Sequence, residues 1–178
     1  TQTMHLVPSE YATIQLAIDA ATNGDTVYVS NGTYVENINY NNKDLYLIGE
    51  NRDSTIIDGN QNGSVITLSG ASTVNGFTIR NGSGTSIGGN SYKGGGIRAW
   101  DNSSINYIEN CIVKNNDLRV HSGADGRGGG IHANSKTTIN NCVIFNNYCQ
   151  QYGGGIHGGG LIENSVIHNN FGVRQVIW

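Results

Sequence analysis

Apolar and polar residues alternate in four short runs, Asn75 to Asn81, Glu109 to Asn116, Asn140 to Asn147 and Glu163 to Asn170. Alternation places successive side chains on opposite faces of a strand. One face then carries Phe77 and Ile79, Cys111 and Val113, Cys142 and Ile144, and Ser165 and Ile167, with Val74, Ile108, Ile139 and Ile162 one strand earlier. Between the runs a second phrase, Gly-Gly-Gly-Ile, occurs three times, at Gly94 to Ile97, Gly128 to Ile131 and Gly153 to Ile156. Two residues after each isoleucine stand Ala99, Ala133 and Gly158, small enough to let a coil close. Two interleaved strand signals at a period of a few tens of residues define a solenoid, whose units bury their inner faces only against one another.

The first third of the chain fits the same architecture. Ile14, Ala17, Ile18 and Ala21 recur at helical spacing, with Thr13 to cap the first turn and Asn23-Gly24 to end the segment, so one short helix is predicted over 13–21. Thereafter the runs Thr26 to Val29, Leu45 to Ile48, Thr55 to Ile57 and Val65 to Leu68 are β-branched and aromatic, bounded by Asn31-Gly32, Gly49, Asp58-Gly59 and Asn62-Gly63. Parallel strands ordinarily need a helical crossover, but a coil made of strands returns to the same edge without one. The prediction is a single all-β domain over 1–178, a parallel β-helix with coils from 26 to 178 and one N-terminal capping helix. The recurring Asn81, Asn115 with Asn116, Asn146 with Asn147, and Asn169 with Asn170 suit left-handed turns and a stacked amide ladder. A glycine-rich phosphate loop is excluded because no helix follows the glycines.

Composition narrows the function classes. The chain has 178 residues, 26 of them glycine and one proline, with 13% charged residues and a net charge of −3. That leaves no basic footprint for nucleic acid. No window approaches the length of an apolar membrane span, and no basic or hydrophobic leader opens the sequence, which reads as a processed, mature chain. Cys111 and Cys142 fall at the same position of successive repeats and are expected to be stacked, buried and free, since parallel strands lie slightly wider apart than a disulfide's Cβ atoms. Cys149 is placed in a connecting loop.

The Asn-Cys-x-Ile-x-Asn-Asn repeat with its Gly-Gly-Gly-Ile partner resembles the parallel β-helix repeats of the pectin-lyase-like superfamily. So do the opening Val7 to Ala21, the stretches Asn23 to Val29 and Gly32 to Ile38, and the turn Ile57 to Asn60. The resemblance spans essentially the whole chain. It implies a right-handed, three-faced solenoid plugged by the first helix, in a secreted or surface-exposed bacterial protein, and hence an extracellular or cell-surface location. It does not specify an activity, because the fold carries lyases, hydrolases, epimerases, esterases and non-catalytic surface proteins.

The motifs of two enzyme classes are missing. Polygalacturonase-like members carry an Asn-x-Asp, a double Asp, a Gly-His-Gly and an Arg-x-Lys, which do not occur here as a set; Ile156 to Gly159 only grazes the third. Pectate-lyase-like members hold Ca²⁺ with clustered acidic residues, and no such cluster recurs here, so no cofactor is expected except Ca²⁺ under the lyase alternative. Two departures from the repeat carry the candidate chemistry instead. Segments 82–93 and 117–127 enlarge the same corner of successive coils and would project as a side wall offering Tyr92, Lys93, Asp117, Arg119, His121, Asp125 and Arg127, with Tyr148 and Tyr152 from the shorter third loop. Beside it the residue after each Gly-Gly-Gly-Ile, namely Arg98, His132 and His157, forms an outward column suited to an anionic sugar. Two histidines alone make no metal site. A second outward column, Ile112, Val143 and Val166, is apolar and suggests a covered face or a contact between chains.

The run Arg174 to Trp178 ends the sequence in a strand-like pattern with no second cap, which reads either as a fragment of a longer protein or as an end that docks head to tail on another subunit. The leading expectation is a structural or glycan-associated binding domain, with no nucleic-acid partner. The rival is a polysaccharide lyase or glycoside hydrolase acting on an acidic polysaccharide.

Overall fold

In a computed structural model, which describes residues 2–100, 104–121 and 123–174, the chain is a right-handed parallel β-helix. Its first face is a seven-stranded sheet, running from Met4–Val7 through Thr26–Val29, Tyr46–Gly49, Ser72–Asn75, Asn106–Glu109 and Thr137–Asn140 to Leu161–Glu163. The second, six-stranded face holds the Asn-flanked runs, among them Thr78–Arg80, Ile112–Lys114, Val143–Phe145 and Val166–His168. The third, five-stranded face holds Ile97–Ala99, Ile131–Ala133 and Ile156–Gly158 after the triple glycines. Thr73 pairs with Tyr107 and Tyr107 with Thr138, so two successive coils take 34 and 31 residues. The next is shorter, Thr138 pairing with Leu161.

The inner ladders are those that the alternation requires. Val74, Phe77, Ile79, Ile97, Ile108, Val113, Ile131, Ile139 and Ile144 are fully buried. Cys111 and Cys142 are buried and free within the same core. In the last described coil Ile162 and Ile167 take the same inward register but stay 42% and 47% exposed, because no described coil covers them. Residues 175–178, on which the reading of an uncapped end rests, lie outside the described residues.

The paired asparagines divide the labour at each corner. Asn81, Asn115, Asn146 and Asn169 take positive φ, which lets the chain turn sharply. Asn116 and Asn147 are buried, and their amides bond up the axis: Asn116 Nδ2 donates to Asn147 Oδ1 at 2.8 Å, and Asn147 Nδ2 to Asn170 Oδ1 at 3.0 Å.

The helix Ile14–Ala20, capped by the Thr13 side chain, closes the first coil with Ile14, Ala17 and Ile18 turned into the core. Charged side chains from neighbouring coils hold both its ends. The Glu36 carboxylate accepts from the backbone N–H groups of Ile14 and Gln15 at 3.0 Å, and Lys43 Nζ donates to the carbonyls of Ile18, Asp19 and Ala21, each at 2.8 Å. A helix of this length is unstable alone, so these bonds and the buried face decide whether it forms. Lys43→Met is expected to lower stability by about 2–3 kcal/mol in urea unfolding, since three carbonyls lose a charged donor.

The apolar column on the second face is partly covered from within the chain. The Arg52 carbonyl accepts from Thr78 Oγ1 at 2.7 Å and its Nη1 donates to the Asn141 carbonyl at 3.2 Å. Ile112 and Val143 are half-buried, whereas Val166 in the last described coil is 57% exposed.

Candidate functional site

The two enlarged corners are more ordered than loops. Their residues form a fourth sheet between the second and third faces, built of Thr85–Ser86, Ser91–Lys93, Asp125–Arg127, Tyr148–Tyr152 and Phe171–Arg174. All its pairings are parallel except the hairpin of the first two strands. Because this wall is a pleated sheet, its side chains alternate between two sides. Ser91, Lys93, Asp125, Arg127 and Tyr152 share one side; Tyr92, Gly126 and Cys149 share the other. The second side closes over a small apolar layer of Leu118, Ala124 and Cys149, all buried. Cys149 is therefore a strand residue, not a loop thiol: its Sγ donates to the Gly126 carbonyl at 2.8 Å, and burial pushes the thiol up.

This pleat sorts the candidate residues into two groups. Tyr92 stacks on His121 at 3.5 Å, and a His121 ring nitrogen lies 3.0 Å from the Ser83 carbonyl. Arg119 is ion-paired to Asp117 at 2.7 Å and lies over the Tyr148 ring at 4.0 Å. These residues brace the wall and stand apart from the third face. Lys93, Arg98, Asp125, Arg127, His132, Tyr152 and His157 come together where the wall meets that face, around a cavity of about 150 Å³ lined by Ile87, Lys93, Arg98, Trp100, Arg127 and His132. Trp100 and Ile87 are absent from the residues singled out above. The signal for Trp100 was its position two residues after Arg98, on the same outward side; Ile87 sits at a hairpin tip, a location that carries no sequence signal.

The outward column is in register, Arg98 beside His132 and His132 beside His157. The two imidazoles stack at 5.1 Å, and the Trp100 ring lies on His132 at 4.4 Å and 15°. Trp100 reaches so far up the axis that a Cβ at Gly158 (φ +78°) would come within 3.1 Å of its ring. On the facing wall Asp125 accepts from Lys93 Nζ at 3.0 Å and from Arg127 Nη2 at 3.1 Å, and the Arg127 guanidinium lies 5.3 Å from the centre of the Tyr152 ring. Among the described residues Asp125 thus pairs with Lys93 and Arg127, while Arg98 joins them in lining the cavity.

The electrostatics follow from that imbalance. Burial pulls Lys93 down against the hydrogen bond it donates to Asp125; burial raises Asp125, but its bonds to Lys93 and Arg127 outweigh this and hold it below the usual carboxylate range. Burial first, then His157 and the cations Lys93, Arg98 and Arg127, lowers His132 to about 3, and burial with Arg127 and Lys93 lowers His157. Arg98 Nε, His132 Nδ1 and His157 Nδ1 are buried without a hydrogen-bond partner. Buried polar groups are almost always paired, so three unpaired nitrogens in one column form an unusual polar cluster beside the cavity. The donor set does not fit Ca²⁺, because the carboxylate of the cleft already neutralises two cations. Among the described residues no group of three or more His, Cys, Asp or Glu converges on a metal-sized site, and no helix is long and apolar enough to cross a membrane.

Comparison with known proteins agrees with this architecture. No family model matches the chain. It is 30% identical, over a 163-residue alignment covering 76% of this chain, to the probable pectinesterase/pectinesterase inhibitor 59 of Arabidopsis thaliana. Among solved structures it resembles a pectin methylesterase mutant in complex with a hexasaccharide, with a TM-score of 0.60 at 16% identity over 97% of this chain, and the pectin methylesterase from carrot, with a TM-score of 0.50 at 16% identity over 89%. The chain spans 29% of the Arabidopsis protein and 56% and 52% of those two structures. The chain therefore has the pectin-lyase-like right-handed parallel β-helix fold.

Proposed function

We propose that this chain holds the carboxylate groups of an acidic polysaccharide of the pectin type in the cleft between its fourth sheet and the Arg98, His132 and His157 column. The observation that carries the reading is a cavity lined by Lys93, Arg98, Arg127 and His132, with buried, unpartnered nitrogens on Arg98, His132 and His157 beside it and a carboxylate already paired to two cations. An anion would supply the missing acceptors and balance the excess charge, and Trp100 with Ile87 offers an apolar surface for the sugar ring. The relatives support pectin as the polymer: those with solved structures are pectin methylesterases, one of them in complex with a hexasaccharide. Such a polymer implies an extracellular setting.

The same relatives favour a protein that acts on the polysaccharide over the purely structural role expected from the sequence. Catalysis on that polymer is the second reading. Polygalacturonate is expected to bind, with affinity that falls as salt rises, and Arg98→Ala and Arg127→Ala are each expected to weaken binding about tenfold or more. Affinity electrophoresis on polygalacturonate, methyl-esterified pectin and a neutral glucan measures this. Equal migration on all three would overturn the reading. Methanol release from esterified pectin, or ultraviolet absorbance of an unsaturated product, separates an enzyme from a binding domain.

A further inference from the structure

His132 and His157 stand one coil apart on the third face, one buried and one half-buried, and neither Nδ1 is bonded. The charged groups around them come from three elements. Arg98 lies beside His132 on Ile97–Ala99, Lys93 projects from Ser91–Lys93, and Arg127 from Asp125–Arg127. Asp125, the anion paired there among the described residues, is turned to Lys93 and Arg127. Trp100 covers one side of His132, and the Tyr152 ring stands 6.2 Å from that of His157. In these surroundings both imidazoles are pushed toward the neutral form in the free protein, by burial first and then by the neighbouring cations.

We infer that His132 and His157 distinguish a free carboxylate from its methyl ester in this cleft by taking up a proton as the anion enters. The inference rests on the reading of the cleft as a site for acidic polysaccharide. A carboxylate within hydrogen-bond reach favours the charged imidazole, raising its proton affinity roughly 10- to 1000-fold. The anion's charge acts on the ring whichever nitrogen takes the proton, whereas a methyl ester brings no charge. The proton comes from solvent and ends on the imidazole; no bond of the ligand is made or broken. The sign follows from the two states. The imidazole is depressed in the free protein and raised in the complex, so between those two values binding carries a proton in. Affinity for the acid therefore rises as pH falls, by up to about tenfold per pH unit for each proton taken up, while affinity for the ester stays flat.

Titration calorimetry of the whole chain with short oligogalacturonates and with their methyl esters, in two buffers of different ionisation enthalpy, measures the proton count directly. The expected result is net uptake with the acid, none with the ester, and an affinity ratio between them that grows as pH falls from about 6 to about 4. His157→Gln, at the half-buried position, and His132→Asn should each reduce the uptake and flatten the pH dependence while leaving weaker binding through Arg98 and Arg127. Binding of the acid without proton exchange, or uptake unchanged in both variants, would overturn this inference and leave the cleft reading standing. Failure of either oligomer to bind at any pH would instead overturn the cleft reading itself.

Discussion

Alanine at Gly129 is expected to destabilise the solenoid by roughly 3 kcal/mol or more, the upper end for an overpacked position, because the new methyl group would meet backbone rather than a yielding side chain. A Cβ there falls on the carbonyl oxygen of Gly154 in the next coil and lies 2.6 Å from that of Tyr148. The two oxygens lie at the two ends of the Tyr148–Tyr152 strand, where the wall leaves the second face and where it passes into the third, and the local bonds, such as Gly129 N–H to the Gly153 carbonyl at 3.0 Å, leave neither segment free to retreat. Gly95 stands in the same relation to Gly129 one coil earlier. Gly88→Ala is the control: its φ of +96° is unfavourable for alanine, but nothing lies within 4 Å of the added carbon, so only about 1–2 kcal/mol of backbone strain is expected. Urea midpoints of the two variants test the distinction. Equal losses would mean that the triple glycines serve backbone conformation and not close approach.

Leucine at Asn147 is expected to cost roughly 3–5 kcal/mol, a large part of the stability of a domain this size. The side chain is fully buried and makes four hydrogen bonds. Its Nδ2 donates to the Val113 carbonyl at 2.9 Å and to Asn170 Oδ1 at 3.0 Å, and its Oδ1 accepts from Asn116 N at 3.1 Å and Asn116 Nδ2 at 2.8 Å. Removing the amide takes a partner from two donors and two acceptors on the coils above and below; Asn116 Nδ2 keeps its bond to the Lys114 carbonyl and Asn170 Oδ1 its bond from Asn147 N, and each group left unpaired costs about 1–3 kcal/mol. Its chain neighbour Asn146 has φ +52° and turns the corner, so Asn146→Gly should change stability by only a few tenths of a kcal/mol. Thermal unfolding of the pair separates the two roles, and a small loss for Asn147→Leu would show that the ladder is not cooperative.

Much of the cleft was legible before any coordinates. The period of the repeat placed Arg98, His132 and His157 in one outward column, because parallel strands in register superpose equivalent residues. It also flagged the corner from which Lys93, Asp125 and Arg127 come. What it left open was which of the corner's side chains face the column. Once Ser91–Lys93 is a strand, Tyr92 and Lys93 point to opposite sides, so Lys93 enters the cleft while Tyr92 turns to His121. Arg119 lies on the short turn Leu118–Val120, where its ion pair with Asp117 holds it away from the column. Trp100 escaped notice because nothing in the period requires its ring to climb over His132 toward Gly158.

The sequence by itself determined the solenoid, its inner ladders, the capping helix and the asparagine turns, since each depends on short-range alternation or spacing repeated from coil to coil. Only the tertiary structure decided that the enlarged corners form a fourth sheet, that Cys149 is buried within it, and that Lys93, Arg98 and Arg127 gather beside the stacked imidazoles. The physical reason is one of range. A repeat fixes what lies above and below each residue, whereas the cleft depends on the pleat of the wall and on side chains that meet across the corner from different strands.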